Sequence, residues 1–122
     1  MPAILFSVGI ALLAAFQLAL ALGAPLGAYA WGGQHDGSLP KKLRLGSLVS
    51  ILVYALLALI LLSKAGVIEL FPMSFAVPAA WVVFAYMALG TLLNLISRSR
   101  KERAVMTPIA ATLAIFALLV AL

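Results

Sequence analysis

Long apolar stretches alternate with short polar ones along the whole chain, and this pattern dominates the sequence. Four segments, at about 3–24, 45–64, 77–97 and 100–122, are almost free of charge in their central parts. Each reaches the roughly 17 to 25 residues that a membrane-spanning helix needs. We therefore predict an all-α polytopic membrane protein, in which residues 1–122 form a single four-helix transmembrane domain.

The composition excludes an ordinary soluble domain. Apolar residues make up 66% of the chain and charged residues only 9%, whereas soluble domains carry about 25% charged residues. The first apolar stretch lacks the basic region that precedes the apolar core of a secretory signal, and it is as long as a full span. We expect it to remain as the first helix.

Two basic clusters indicate the orientation of the chain. The first polar loop ends at three cations, Lys41, Lys42 and Arg44. Four more cations lie in or next to the third polar loop: Arg98, Arg100, Lys101 and Arg103. Lys and Arg are enriched in cytoplasmic loops close to the ends of spans. With four spans these two loops share one side, so we predict that loops 1–2 and 3–4 are cytoplasmic and that both termini face outward.

The net charge of +5 does not indicate nucleic-acid binding, because seven of the eight cations flank the predicted spans. Membrane topology and contact with anionic lipid headgroups explain them more simply. Cysteine is absent, which excludes disulfides, thiolate metal sites and thiol nucleophiles. We expect no cofactor and no metal. The lipid bilayer is the expected partner.

Local signals refine the helix ends. Gly23 and Pro25 should end the first helix near residue 24, and Ser38 is a candidate N-cap for the second. Ser99 followed by Glu102 fits a capping box for the fourth helix, which would place Pro108 inside that helix. The alternative is that Thr107 caps a shorter helix. The apolar segment 64–77 should lie in the outer membrane interface.

Polar residues inside the spans supply the best candidate site. Helix 2 places Ser47, Ser50 and Tyr54 on one face, and helix 3 does so with Tyr86, Gly90 and Asn94. Helix 1 contributes Gln17. Because Gln17, Ser50 and Asn94 lie at similar depth in the cytoplasmic half, we predict that they converge with Tyr54. This cluster either binds a ligand or joins helices by hydrogen bonds worth about 0.6 to 2 kcal/mol each.

Ala110, Ala114, Ala117 and Ala121 form a seam of small side chains on helix 4. Small residues let helices approach closely, so the seam either packs helix 4 into its own bundle or forms a dimer face.

Ionisable residues give little support for catalysis. None occupies the middle of a span, which weakens an ion path or a proton relay. His35 and Asp36 are adjacent in loop 1–2 but are surrounded by glycines typical of a polar turn, and one His with one carboxylate is a poor metal site. Glu69 should be solvated or paired with Lys64, and Glu102 should act as a cap.

Four short segments stand out in the chain: residues 21–27, Ala30-Trp31-Gly32-Gly33, Leu39-Pro40 and Thr107-Pro108. They resemble segments of small bacterial four-helix membrane proteins that are grouped as domains of unknown function. The resemblance implies a bacterial cytoplasmic (inner) membrane and no particular activity. The length is also similar to that of the small multidrug resistance transporters and the fluoride channels. However, the acidic residue expected in helix 1 of the former is absent, and no motif of the latter is present.

Two functions remain open on these patterns. The first is a non-enzymatic membrane protein that packs as a homo-oligomer or as an accessory subunit of a membrane complex. The second is a small dimeric channel, transporter or receptor for an uncharged or amphipathic solute, with Gln17, Ser50, Tyr54 and Asn94 as the binding residues. An enzyme that uses His35 and Asp36 is a third and weaker hypothesis.

Overall fold

The computed structural model describes residues 1–35 and 37–122, and it is all-α over this part of the chain. Its four long helices are α1 (Pro2–Ala21), α2 (Lys41–Lys64), α3 (Met73–Leu95) and α4 (Arg100–Ala121). Two short 3₁₀ turns, Gly27–Tyr29 and Trp31–Gly33, lie between α1 and α2. All four long helices are long and apolar enough to cross a membrane, as the sequence predicts.

The end of α1 depends on Gly23, which adopts a φ of +95°. Its N–H donates to Leu20 O, and the next N–H, of Ala24, donates to Ala19 O. This pair of bonds is a Schellman motif, which satisfies the last carbonyls of a helix and needs a left-handed residue. The helix therefore stops at Ala21, three residues before the predicted end of the span.

Two predicted helix starts have different outcomes. Ser38 does not cap α2, because Pro40 is the residue that precedes the helix and the Ser38 hydroxyl donates instead to Gly23 O at 2.7 Å. Ser99 does cap α4, since its Oγ accepts a bond from the Glu102 N–H at 3.3 Å. Helix α4 continues through Pro108, so Thr107 does not mark its start.

The helices form an antiparallel bundle in which each is packed against its neighbours in the chain, and α4 also packs against α1. The main core lies at the end of the bundle where α2 leads into α3. It is built from these buried residues: Ala3, Phe6, Ile10, Leu57, Ile60, Leu61, Ala80, Val83, Met87, Leu113, Ala114, Ala117, Val120 and Ala121. All four members of the alanine seam on α4 are buried within this one chain.

Apolar side chains cover much of the outer surface. Leu12 in α1 and Leu52 in α2 are 69% and 72% exposed although both lie in the middle of a helix. In water such a surface would promote aggregation, whereas lipid tails are as apolar as leucine. The surface therefore matches the membrane assignment drawn from helix length and composition.

The loop between α1 and α2 folds back under the bundle. Gly27 N–H donates to Gly37 O at 2.9 Å, which closes the loop on itself. A second small core of Leu20, Ala30 and Leu39 anchors it beneath α1. Arg44 Nε donates to Ala21 O at 2.9 Å, so this basic residue satisfies a carbonyl at the end of α1.

The connection between α2 and α3 is shorter than expected. Helix α3 starts at Met73, so the last part of the apolar segment 64–77 is helical and does not form an interfacial loop. Phe71 packs on the core and meets the Phe75 ring at a centroid distance of 5.1 Å. Lys64 does not pair with Glu69, because its Nζ donates to Val120 O at 2.9 Å, near the end of α4.

Candidate functional site

A cavity of about 670 Å³ lies between the four helices, in the half of the bundle that carries the two basic loops. This volume is within the range of sites that hold small organic ligands. Its wall is mainly apolar. The polar and charged side chains that line it come from every helix and both loops: Gln17, Tyr29, Gln34, Ser50, Tyr54, Tyr86, Asn94, Ser97, Arg98 and Glu102.

All four residues singled out from the sequence, Gln17, Ser50, Tyr54 and Asn94, line this cavity. They come together because each lies in the half of its helix next to the basic loops, or at its middle in the case of Tyr54, and because the antiparallel arrangement puts those halves side by side. Their assignment as ligand-binding residues stays a prediction, since the cavity shows only that one molecule could reach them together.

The hydrogen bonds among these residues are long. Gln17 Nε2 donates to Tyr54 Oη at 3.4 Å, and Asn94 Nδ2 donates to Met106 O at 3.5 Å. Good N–H···O bonds measure about 2.7 to 3.2 Å and weaken rapidly beyond that range. These contacts join α1 to α2 and α3 to α4, but they are poor examples of the interhelical hydrogen bonds considered above.

Two polar groups beside the cavity are incompletely paired. Gln17 Oε1 has no hydrogen-bond partner and is covered by protein atoms rather than open to the cavity, which is costly for an amide oxygen. Tyr54 accepts a bond from Gln17, so that bond leaves its own phenolic proton free. Ser50 Oγ differs, because it donates to Gly46 O one turn earlier at 3.1 Å. A ligand with an acceptor group would complement the Tyr54 hydroxyl.

The floor of the cavity is the loop between α1 and α2. Trp31 adopts a φ of +54°, which is uncommon for a bulky residue, and its ring lies on the backbone of Gly46 in α2. A methyl group added at Gly46 would come within 2.9 Å of the Trp31 ring. The loop also touches the connection between α3 and α4, since Arg98 N–H donates to Gly32 O at 3.3 Å.

The cavity is open along the exposed side of α3 in the same half. On α3, Tyr86 and Leu93 line the cavity while remaining 44% and 55% exposed. The cavity is therefore accessible from the side of the bundle that faces lipid if the helices span a bilayer.

Tyr86 and Glu102 are two of the six polar lining residues outside the predicted site. Tyr86 shares a helical face with Gly90 and Asn94, so the helical spacing already indicated its position. Glu102 was interpreted only as a cap, yet its side chain is 4% exposed and lines the cavity. Its spacing of eight residues before Ala110 puts it on the alanine-seam face of α4, and that periodicity was the available signal.

The weaker hypothesis of an acid–base pair concerns His35 and Asp36. Asp36 lies outside the described residues, so the structure does not define the pair of His35 and Asp36. Over residues 1–35 and 37–122, no group of three or more His, Cys, Asp or Glu side chains is placed to hold a metal ion.

No family model, curated protein or solved structure matches the chain. The geometry of the cavity is thus the basis for a functional assignment.

Proposed function

We propose that this chain is a non-enzymatic multi-pass membrane protein that binds a small uncharged or amphipathic molecule in the cavity between its helices. The observation that carries the proposal is the convergence of Gln17, Ser50, Tyr54 and Asn94 on one open cavity of about 670 Å³. A receptor, a carrier or a channel would each need such a site.

The hydrogen-bond lengths support ligand binding over a purely structural role. Two interhelical contacts at 3.4 and 3.5 Å stabilise the bundle weakly, and they leave Gln17 Oε1 without a partner. Residues that served only to join helices would be expected to satisfy one another, since an unpaired buried polar group costs about 1 to 3 kcal/mol. Rotation of the Gln17 amide towards a bound molecule would remove that cost.

The alternative of a homo-oligomer or an accessory subunit has less support. The alanine seam was its distinguishing feature, and Ala114 and Ala117 are buried inside their own bundle. Packing with another copy would therefore need a different surface. We keep oligomerisation as a prediction that concerns assembly, and we assign the binding role to the cavity.

We further propose that the protein resides in a bacterial cytoplasmic membrane with loops 1–2 and 3–4 in the cytoplasm and both termini outside. The distribution of Lys and Arg supports this orientation. The cavity would then lie in the cytoplasmic half of the bilayer, with its opening along α3 towards the lipid of that leaflet.

Native mass spectrometry of the detergent-purified protein tests the binding role. We expect the parent protein to retain a reproducible small-molecule adduct, which Gln17→Leu and Asn94→Leu should lose while their thermal unfolding stays cooperative. Thr112→Val is the matched control, because Thr112 is a polar helix residue that lies outside this cavity. Adduct retention in both leucine variants would contradict the proposal.

A further inference from the structure

Glu102 is the one acidic side chain of the described residues that is buried, and it lines the cavity. Glutamate is almost never fully buried unless it is paired. Its backbone N–H has a clear role, since it donates to Ser99 Oγ at 3.3 Å. The role of its carboxylate is the open question.

The carboxylate is not used in the reciprocal bond of a capping box. In that motif the acidic side chain accepts a bond from the backbone N–H of the cap residue. Here the N–H of Ser99 donates to Ser97 Oγ at 3.1 Å instead. The side chain of Glu102 is therefore free to face the cavity.

Two of the neighbouring cations are engaged elsewhere. Arg103 Nη1 donates to Ser97 O at 2.6 Å, and Lys101 Nζ lies 5.8 Å from the centroid of the Tyr29 ring. Arg98 lines the cavity as an exposed side chain. Among the described residues, no Lys, Arg or His has a side-chain nitrogen within 4.0 Å of a Glu102 carboxylate oxygen.

A buried carboxylate without a cation is costly, and the start of a helix compensates only part of that cost. A positively charged group in the cavity would provide the missing partner. The remaining wall suits an apolar body, because Leu93, Met106 and Ile109 line the same space.

We propose that the cavity ligand is an amphipathic molecule with a cationic amine, and that Glu102 binds the amine while the apolar body extends towards the exposed side of α3. This assignment rests on the proposed binding function and specifies the class of ligand. It gives Glu102 a role in recognition that is separate from the capping role of its backbone.

Trp31 supplies a reporter, because it lines the cavity and only one other tryptophan, Trp81, is present. Trp81→Phe protein would be reconstituted in neutral phosphatidylcholine nanodiscs, and quenching of Trp31 would be measured with 12-bromododecylammonium, 12-bromododecanol and 12-bromododecanoate. We expect saturable quenching by the ammonium probe at a mole fraction about tenfold lower than that of the other two.

Glu102→Gln should reduce the preference for the ammonium probe to about twofold or less, because it removes the charge and keeps the backbone bond to Ser99. Glu69→Gln is the matched control: it removes the same charge from an exposed residue outside the cavity and should preserve the preference. A preference that survives Glu102→Gln in folded protein would overturn the assignment.

The comparison of probes in the parent protein tests the assignment even if Glu102→Gln does not fold. Equal quenching by all three probes, or a preference for the carboxylate probe, would overturn it. If the alcohol still quenches saturably and Gln17→Leu abolishes that quenching, the proposed binding function stands while the amine assignment fails. If no probe quenches saturably, both are overturned.

Discussion

Gly33 lies directly against the backbone of Ser99, so the loop between α1 and α2 rests on the residue that caps α4. A methyl group added at Gly33 would lie 2.8 Å from Ser99 N. Loops 1–2 and 3–4 therefore meet at one end of the bundle, where together they close the floor of the cavity.

Gly33→Ala should be more destabilising than Gly32→Ala. Both glycines have positive φ, +73° and +70°, so alanine costs about 1 to 2 kcal/mol of backbone strain at either position. Only Gly33 has a close neighbour, and the resulting clash should add about 1 to 3 kcal/mol. Thermal unfolding in detergent with tryptophan emission measures the difference. Equal losses in the two variants would contradict the close packing of the loop on α4.

Gly46→Ala and Gly90→Ala should have opposite effects. Alanine stabilises a helix interior by about 0.5 to 1 kcal/mol relative to glycine. Position 90 has open space for the methyl group, so Gly90→Ala should gain stability. At position 46 the methyl group would meet the Trp31 ring at 2.9 Å, so the ring must move. We expect Gly46→Ala to shift the emission of Trp31 and to lower the unfolding temperature. An unchanged spectrum would argue against the contact.

Lys64→Met should weaken the end of the bundle opposite the basic loops by about 1 kcal/mol. The change removes the bond from Nζ to Val120 O, which satisfies a carbonyl in the last turn of α4. The control is Lys42→Met, in which an exposed lysine at the opposite end is replaced in the same way. Chemical denaturation of the two variants under identical conditions checks the prediction, and a loss no larger than that of the control would refute it.

The orientation can be tested with single cysteines, because the chain has none. We expect Val67→Cys, in the loop between α2 and α3, to react with a membrane-impermeant maleimide on intact bacterial cells. Ser38→Cys, in the loop between α1 and α2, should react only after lysis. The reverse pattern would show that the termini are cytoplasmic and would move the cavity to the outer half of the membrane.

Much of the fold follows from simple periodicities. Four apolar segments of spanning length predict four helices, and alternating direction brings Gln17, Ser50 and Asn94 to one level. Their shared cavity was therefore within reach of sequence reasoning. Helix ends were less accessible, because the local hydrogen bonds of Gly23 and Ser38 determine them and composition does not.

The details of the site depended on information that periodicity does not contain. Trp31 reaches Gly46 only because its backbone adopts a left-handed conformation. Glu102 faces the cavity because Ser97 replaces it as the acceptor for Ser99 N–H. The first outcome depends on a backbone conformation and the second on competition between local bonds, and residue types and spacing resolve neither.

Under the proposed binding function, the opening of the cavity along α3 changes how ligand affinity should be expressed. A ligand that enters from the side first dissolves in the bilayer, so the concentration that governs occupancy is its mole fraction in lipid rather than its concentration in water. Molecules with equal contacts in the cavity would then differ in apparent potency according to how strongly they partition. Membrane composition would control occupancy without any change in the protein.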